Sequence, residues 1–131
     1  MTFAFNPASG AVLVVGELIG PAGPTGVVLA LDTGATGTTI DDRYLVAAGY
    51  DPSQFTRVPV ATGSGIVHAP RLPVTAFAAL GLTRANYPVL AHTFPFPSGV
   101  DGVLGLDFFE GTILTLDFQK GEITVVGGPT P

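Results

Sequence analysis

The sequence predicts an all-β domain, and three observations carry that expectation. Glycine and proline are abundant, with 18 Gly and 12 Pro in 131 residues. That richness does not signal disorder, because 47% of the chain is hydrophobic and the net charge is only −5. The apolar segments are short, rich in β-branched residues and closed at near intervals by Gly or Pro. The length suits one domain, so residues 1–131 are read as a single unit with a core from about 11 to 126.

Ala11–Val15 and Val27–Leu31 read as strands around a Pro/Gly loop from Gly20 to Gly26. The second is continuously apolar, which predicts burial on both faces. Thr38–Ile40 is extended. Asp41 to Gly49 reads as a two-turn helix, with Asp41 capping free N–H groups and Gly49 suiting a left-handed stop. Arg57–Thr62 and Ile66–Ala69 form a hairpin around Gly63-Ser64-Gly65. Strands follow at Leu72–Leu80, Tyr87–Ala91 and Val100–Leu106, with a loop around Pro95 and Pro97. Asp107 reads as the cap of one helical turn ending at Gly111. Ile113–Phe118 and Glu122–Val126 close the chain as a hairpin, followed by a tail from Gly127 to Pro131.

Composition removes several functions. Four Arg and one Lys against ten acidic residues make no basic stripe, so nucleic acid is not expected as a partner. No cysteine is present, which excludes disulfides, thiolate metal sites and thiol catalysis. His68 and His92 are far apart and show no metal-ligand spacing, so neither a metal nor a cofactor is expected, and both read as structural. The mean hydropathy is +0.52, yet no apolar run approaches the roughly 18 residues of a spanning helix. The first residues show no basic and then apolar leader, so a soluble cytoplasmic protein without membrane contact is expected. High apolarity with few charges also predicts a sticky face and self-association.

The chemistry concentrates in Leu29-Ala30-Leu31-Asp32-Thr33-Gly34-Ala35. A carboxylate at the end of an apolar strand costs several kcal/mol to bury unless it is hydrogen-bonded or shares a proton. Alone, the tripeptide Asp32-Thr33-Gly34 also fits a plain Asx turn. Three further segments follow it in order: Thr38-Thr39-Ile40, the glycine-flanked Thr62-Gly63-Ser64-Gly65-Ile66, and Val103-Leu104-Gly105. In these four segments the chain resembles the retropepsin-like aspartic proteases over nearly its whole length. The helix after Ile40 and the run Asp101 to Phe108 look closer to cellular and bacterial members than to viral ones. Viral members usually pair an Asp two places after the motif glycine with an Arg after the C-terminal glycine. Those positions are Thr36 and Leu106 here, so both partners are absent together.

The resemblance implies a closed β-barrel with a flap hairpin and one or two short helices. It implies an aspartic endopeptidase in which water is activated between two carboxylates sharing one proton. Asp32 would be catalytic, Thr33, Gly34 and Ala35 its scaffold, and Thr62, Gly63, Ser64, Gly65 and Ile66 the flap over a peptide substrate. Only one such motif exists in the chain. Asp41, Asp42, Asp101, Asp107 and Asp117 each have a better structural reading: Asp41, Asp42 and Asp107 suit caps, Asp101-Gly102 lacks the intervening Ser or Thr, and Asp117 faces out between Leu116 and Phe118. A homodimer supplying Asp32 twice across a two-fold axis is the simplest completion. Subsites are expected to be apolar, given the few charges. Ala35 cannot hydrogen-bond the carboxylate as a hydroxyl residue would, which favours a mildly acidic to neutral optimum over a strongly acidic one. The same fold could instead serve as an inactive dimerising or peptide-binding module, or as a structural barrel.

Overall fold

The computed structural model describes residues 1–94 and 99–128. The loop expected around Pro95 and Pro97 and the tail residues 129–131 lie outside the described residues. Ten strands are present: β1 (Thr2–Ala4), β2 (Leu13–Gly20), β3 (Gly23–Leu31), β4 (Thr39–Asp41), β5 (Arg57–Thr62), β6 (Gly65–Ala79), β7 (Leu82–His92), β8 (Gly102–Leu104), β9 (Thr112–Asp117) and β10 (Glu122–Gly127). One α-helix, α1 (Asp42–Ala47), and two 3₁₀ turns, Pro52–Gln54 and Leu106–Phe109, complete the described structure.

Six strands close a barrel in the order β2-β3-β8-β4-β7-β6, sealed where β6 pairs back onto β2 through Gly16–Ala79 to Ile19–Ala76. β5 extends β6 as a hairpin, and β1, β10 and β9 form a separate three-stranded sheet. The barrel interior follows strand alternation. Val14 and Leu18 of β2 and Val27 and Leu29 of β3 point inward, against Leu72, Val74, Phe77, Val89 and Leu104. Phe77, Tyr87 and Phe108 stack with ring centroids 5.7–5.8 Å apart. Such offset and edge contacts add to the burial gain. No helix among the described residues is long and apolar enough to cross a membrane.

The topology turns on β8. It arrives late in the chain and lies between two early strands, parallel to β3 and antiparallel to β4. That position leaves almost no room for side chains at its ends. A Cβ on Gly102 would stand 2.3 Å from the Thr39 carbonyl oxygen, and one on Gly105 would stand 2.3 Å from that of Gly37. Backbone cannot yield there as the end of a flexible side chain could.

The helix forms as expected. The buried Asp41 carboxylate accepts the Arg43 N–H at 3.0 Å and pairs with the Arg43 guanidinium at 2.8 Å. At the other end Gly49 takes φ +99°. Its N–H donates to Val46 O, and the Tyr50 N–H to Leu45 O, the paired bonds of a Schellman stop. The helix itself is six residues, close to the two turns expected.

Several expectations are corrected. The Pro/Gly stretch from Gly20 to Gly26 is not a loop: Gly23 to Gly26 belong to β3, and only Pro21-Ala22 make the turn. Pro24 sits in the ladder beside Ile19, because tertiary pairing overrides the punctuation. β3 buries Val27 and Leu29 but leaves Val28 and Ala30 half-buried, so it is not sealed on both faces. The strands Ile66–Ala69 and Leu72–Leu80 are one 15-residue strand that runs through Pro70 and Pro73. β7 starts at Leu82, five residues earlier than expected, after a tight Leu80-Gly81 turn with both residues at positive φ. The strand expected over Val100–Leu106 is confined to Gly102–Leu104. β1 was not foreseen at all. It pairs with β10, and the Met1 amino group donates to Val125 O at 2.8 Å.

Two expected outcomes follow. Gly105→Ala should cost several kcal/mol, read as a lower urea midpoint, or prevent folding, because the added carbon overlaps backbone. Hydrogen bonding from Arg43 holds the Asp41 carboxyl below its usual 3.8. Its stabilising effect is therefore present above about pH 4 and lost as pH falls through the lower folded value. Asp41→Asn should cost about 1–3 kcal/mol at pH 7. Its deficit in urea unfolding should narrow progressively in more acidic buffer.

Candidate active site

Asp32 follows the last residue of β3, where the barrel strand stops pairing outward and turns. Its N–H donates to Leu104 O at 3.0 Å, which ties it to β8. The Ala35 N–H closes a turn on Asp32 O at 3.1 Å. The carboxylate Oδ1 accepts the Gly34 N–H at 2.8 Å, and among the described residues its other oxygen has no hydrogen bond. A Cβ on Gly34 would stand 3.1 Å from Oδ1, so glycine suits this close approach. Asp32, Thr33 and Gly34 are all exposed, and Ala35 is half-buried. Among the described residues the Thr33 hydroxyl makes no hydrogen bond.

The segment after the motif is held from beneath by β8 and the turn that follows it. Leu106 N–H donates to Ala35 O at 2.9 Å, and Asp107 N–H to Thr36 O at 3.2 Å. Gly105 N–H donates to the Thr38 hydroxyl at 3.0 Å. Thr38 in turn lies 2.8 Å from the Tyr87 hydroxyl, which donates to the Asp107 carboxylate. Thr38 and Tyr87 are buried. Hydroxyl valence sets the direction of this relay: Gly105 N–H to Thr38, Thr38 O–H to Tyr87, Tyr87 O–H to Asp107. Burial, and then the bond to Asp107, push the Tyr87 phenol well above its usual pKa of 10, so it stays a donor.

This arrangement corrects one expectation. Asp107 does not cap the 3₁₀ turn Leu106–Phe109, whose first position is Gly105 with no side-chain cap. Its carboxylate serves the relay instead. Asp101, by contrast, has the structural role expected of it, since its carboxylate accepts the Val28 N–H at 2.7 Å. The Asp117 carboxylate accepts the N–H groups of Gln119 and Lys120, both at 2.9 Å, in the β9–β10 turn.

Above Asp32 opens a cleft of about 910 Å³. Gly34 to Thr39 form its floor, and Val58 to Ala61, Val67 and Ala69 of the β5–β6 hairpin form one wall. Pro88 to Leu90, His92 and Phe94 bound the other side. Of the five residues expected at the hairpin tip, Thr62 and Gly65 pair with each other across the turn Gly63-Ser64. Gly63, Ser64, Gly65 and Ile66 are exposed and do not line the cleft; the stem of the hairpin does. Arg71 and His92 also line it, two basic side chains beside the apolar ones. No sequence spacing pointed to them, since cross-strand pairing alone brings β6 and β7 to the cleft. Among the described residues, no cluster of three His, Asp or Glu is placed to hold a metal ion.

The family model described as aspartyl protease matches residues 22–108, from the β2–β3 turn through Asp32 to the turn after β8. The chain belongs to the aspartyl protease family. No curated protein sequence matches it. Among solved structures it is similar to a retropepsin-like aspartic protease from Rickettsia conorii, with a TM-score of 0.67 and 14% identity. That match covers 94% of this chain and 85% of the other. It is also similar to the EIAV protease complexed with the inhibitor HBY-793, with a TM-score of 0.62 and 17% identity, covering 82% of this chain and 92% of the other. The fold of this aspartyl protease family member is therefore retropepsin-like.

The relay beneath the cleft has a measurable cost of removal. Tyr87→Phe leaves the Asp107 carboxylate without its donor and the Thr38 hydroxyl without its acceptor. A loss of about 1–3 kcal/mol is expected in equilibrium unfolding.

Proposed function

We propose that the chain is an aspartic endopeptidase whose working unit is a pair of identical copies. The observation that carries this reading is the Asp32 carboxylate itself. It stands exposed on the floor of a peptide-sized cleft, with one oxygen held by Gly34 N–H and the other without a hydrogen bond among the described residues. Family membership supports the reaction class. Support for a second copy comes from the single Asp-Thr-Gly motif, the exposure of Asp32 and Thr33, and the unpaired Thr33 hydroxyl. Exposed apolar side chains at Leu106, Ile113 and Val126 favour association.

In the pair, Asp32 of each copy meets across a two-fold axis and the two carboxylates share one proton. The ionised member takes a proton from a water held between them as the water oxygen attacks the scissile carbonyl carbon. The protonated member donates to the carbonyl oxygen. Collapse of the tetrahedral intermediate breaks the C–N bond, and the amine leaves with a proton returned from the carboxyl pair. Thr33 would bond across the two motifs. The hairpin tip at Thr62 to Ile66 would act as a flap that closes over the substrate and expels water. Ala35 leaves Asp32 without a hydroxyl donor, which favours mildly acidic to neutral operation.

Asp32→Asn should reduce cleavage of an apolar fluorogenic peptide by at least about a thousandfold, because an amide cannot take the proton. Sedimentation should still show the two-copy species. Cleavage retained by Asp32→Asn, or full activity from a monomer, would overturn the reading.

A further inference from the structure

Basic and acidic residues are segregated along this chain. Residues 52–100 contain Arg57, Arg71, Arg84, His68 and His92 and no Asp or Glu. All ten acidic side chains lie outside that stretch. The same stretch supplies β5, β6 and β7, which are the hairpin and the far wall of the cleft. An acidic protein thus builds the walls of its cleft from a stretch without carboxylates.

Two of these groups face the cleft directly. Arg71 on β6 is registered against Leu90 on β7, and both line the cleft. His92, two residues along β7, falls on the same face by strand alternation and lines it too. Its ring meets that of Phe94 edge-on at 5.4 Å. The other arginines are engaged by their own chain. Arg43 pairs with Asp41, Arg57 donates to His68 O, and Arg84 donates to Phe108 O and Glu110 O. The Arg71 guanidinium has no hydrogen bond or ion pair among the described residues. Nor do the carboxylates of the cleft serve it: Asp32 is held by Gly34 and Asp107 by Tyr87.

We propose that Arg71 is a specificity residue, and that the cleft takes an extended peptide with an acidic side chain at one position. The guanidinium fork of Arg71 binds that carboxylate in a two-pronged, charge-assisted contact. His92 adds a second basic group on the same wall. Val58, Val60 and Val103 hold the apolar side chains of the same peptide. The inference rests on the cleft being a peptide site, and it adds one acidic position to the apolar subsites that composition predicted.

The test uses octapeptides with an apolar centre and both ends blocked, carrying Glu or Gln at each position in turn. Binding is measured by fluorescence anisotropy on Asp32→Asn protein, so that turnover does not interfere. One position should bind Glu about tenfold more tightly than Gln at low salt, with the gap shrinking at about 0.5 M salt. Adding Arg71→Gln should erase the gap, and Arg71→Lys should keep part of it. Arg71 is exposed, so neither change threatens the fold. The inference is overturned if no position prefers Glu, or if the preference survives Arg71→Gln. It is equally overturned if unblocking the C-terminus of the Gln peptides restores the affinity that the Glu side chain gives. Cleavage of the same peptides by the unsubstituted protein reads the peptidase assignment separately. Glu-dependent binding without cleavage sinks the peptidase and keeps the acidic subsite; cleavage without Glu preference does the reverse.

Discussion

The close passage of Gly105 beneath Gly37 is the constraint on which the rest of the structure depends. β8 can lie between β3 and β4 only because its flanking glycines bring backbone against backbone. From that contact come the bonds that hold the functional segment: Asp32 N–H to Leu104 O, Leu106 N–H to Ala35 O, Asp107 N–H to Thr36 O and Gly105 N–H to Thr38. A carboxylate on a free loop would sample many orientations. Here the loop from Asp32 to Thr38 is bridged along its length, so Asp32 is exposed without being loose.

The site divides cleanly into a satisfied side and an unsatisfied one. Facing the core, the buried Thr38 and Tyr87 hydroxyls are both paired, and Tyr87 anchors one oxygen of Asp107, as low-dielectric surroundings demand. Facing the cleft, one Asp32 oxygen and the Arg71 guanidinium have no partner among the described residues. Unpaired polar groups are cheap in water and become expensive once covered. Whatever closes over this cleft must therefore bring complementary groups, and an apolar cover alone would be rejected.

Much of this was legible in the sequence. Asp32-Thr33-Gly34, the glycine-tipped hairpin and Val103-Leu104-Gly105 each leave a local signature, because each needs a particular residue to let backbone approach or turn. The helix was legible through Asp41 and Gly49 for the same reason. What stayed hidden depends on distant partners. β1 exists because β10 offers it an edge more than a hundred residues away. Pro24, Pro70 and Pro73 look like strand breakers, yet pairing carries the strands through them. Asp107 looks like a cap until Tyr87, twenty residues earlier, is folded against it. Arg71 gives no sign of facing the cleft, since only the register of β6 on β7 sets its direction.

The central position of β8 also shapes how the chain can reach this state. β3 and β4 are made early, yet the strand that joins them lies beyond residue 100. During synthesis the β2–β3 and β5–β6 hairpins can form from local contacts, while the barrel keeps an open slot with two bare edges. Such non-local closure is slow and leaves strand edges open to wrong partners. A chain emerging from a ribosome must therefore hold that slot unfilled until residues 102–104 have been made.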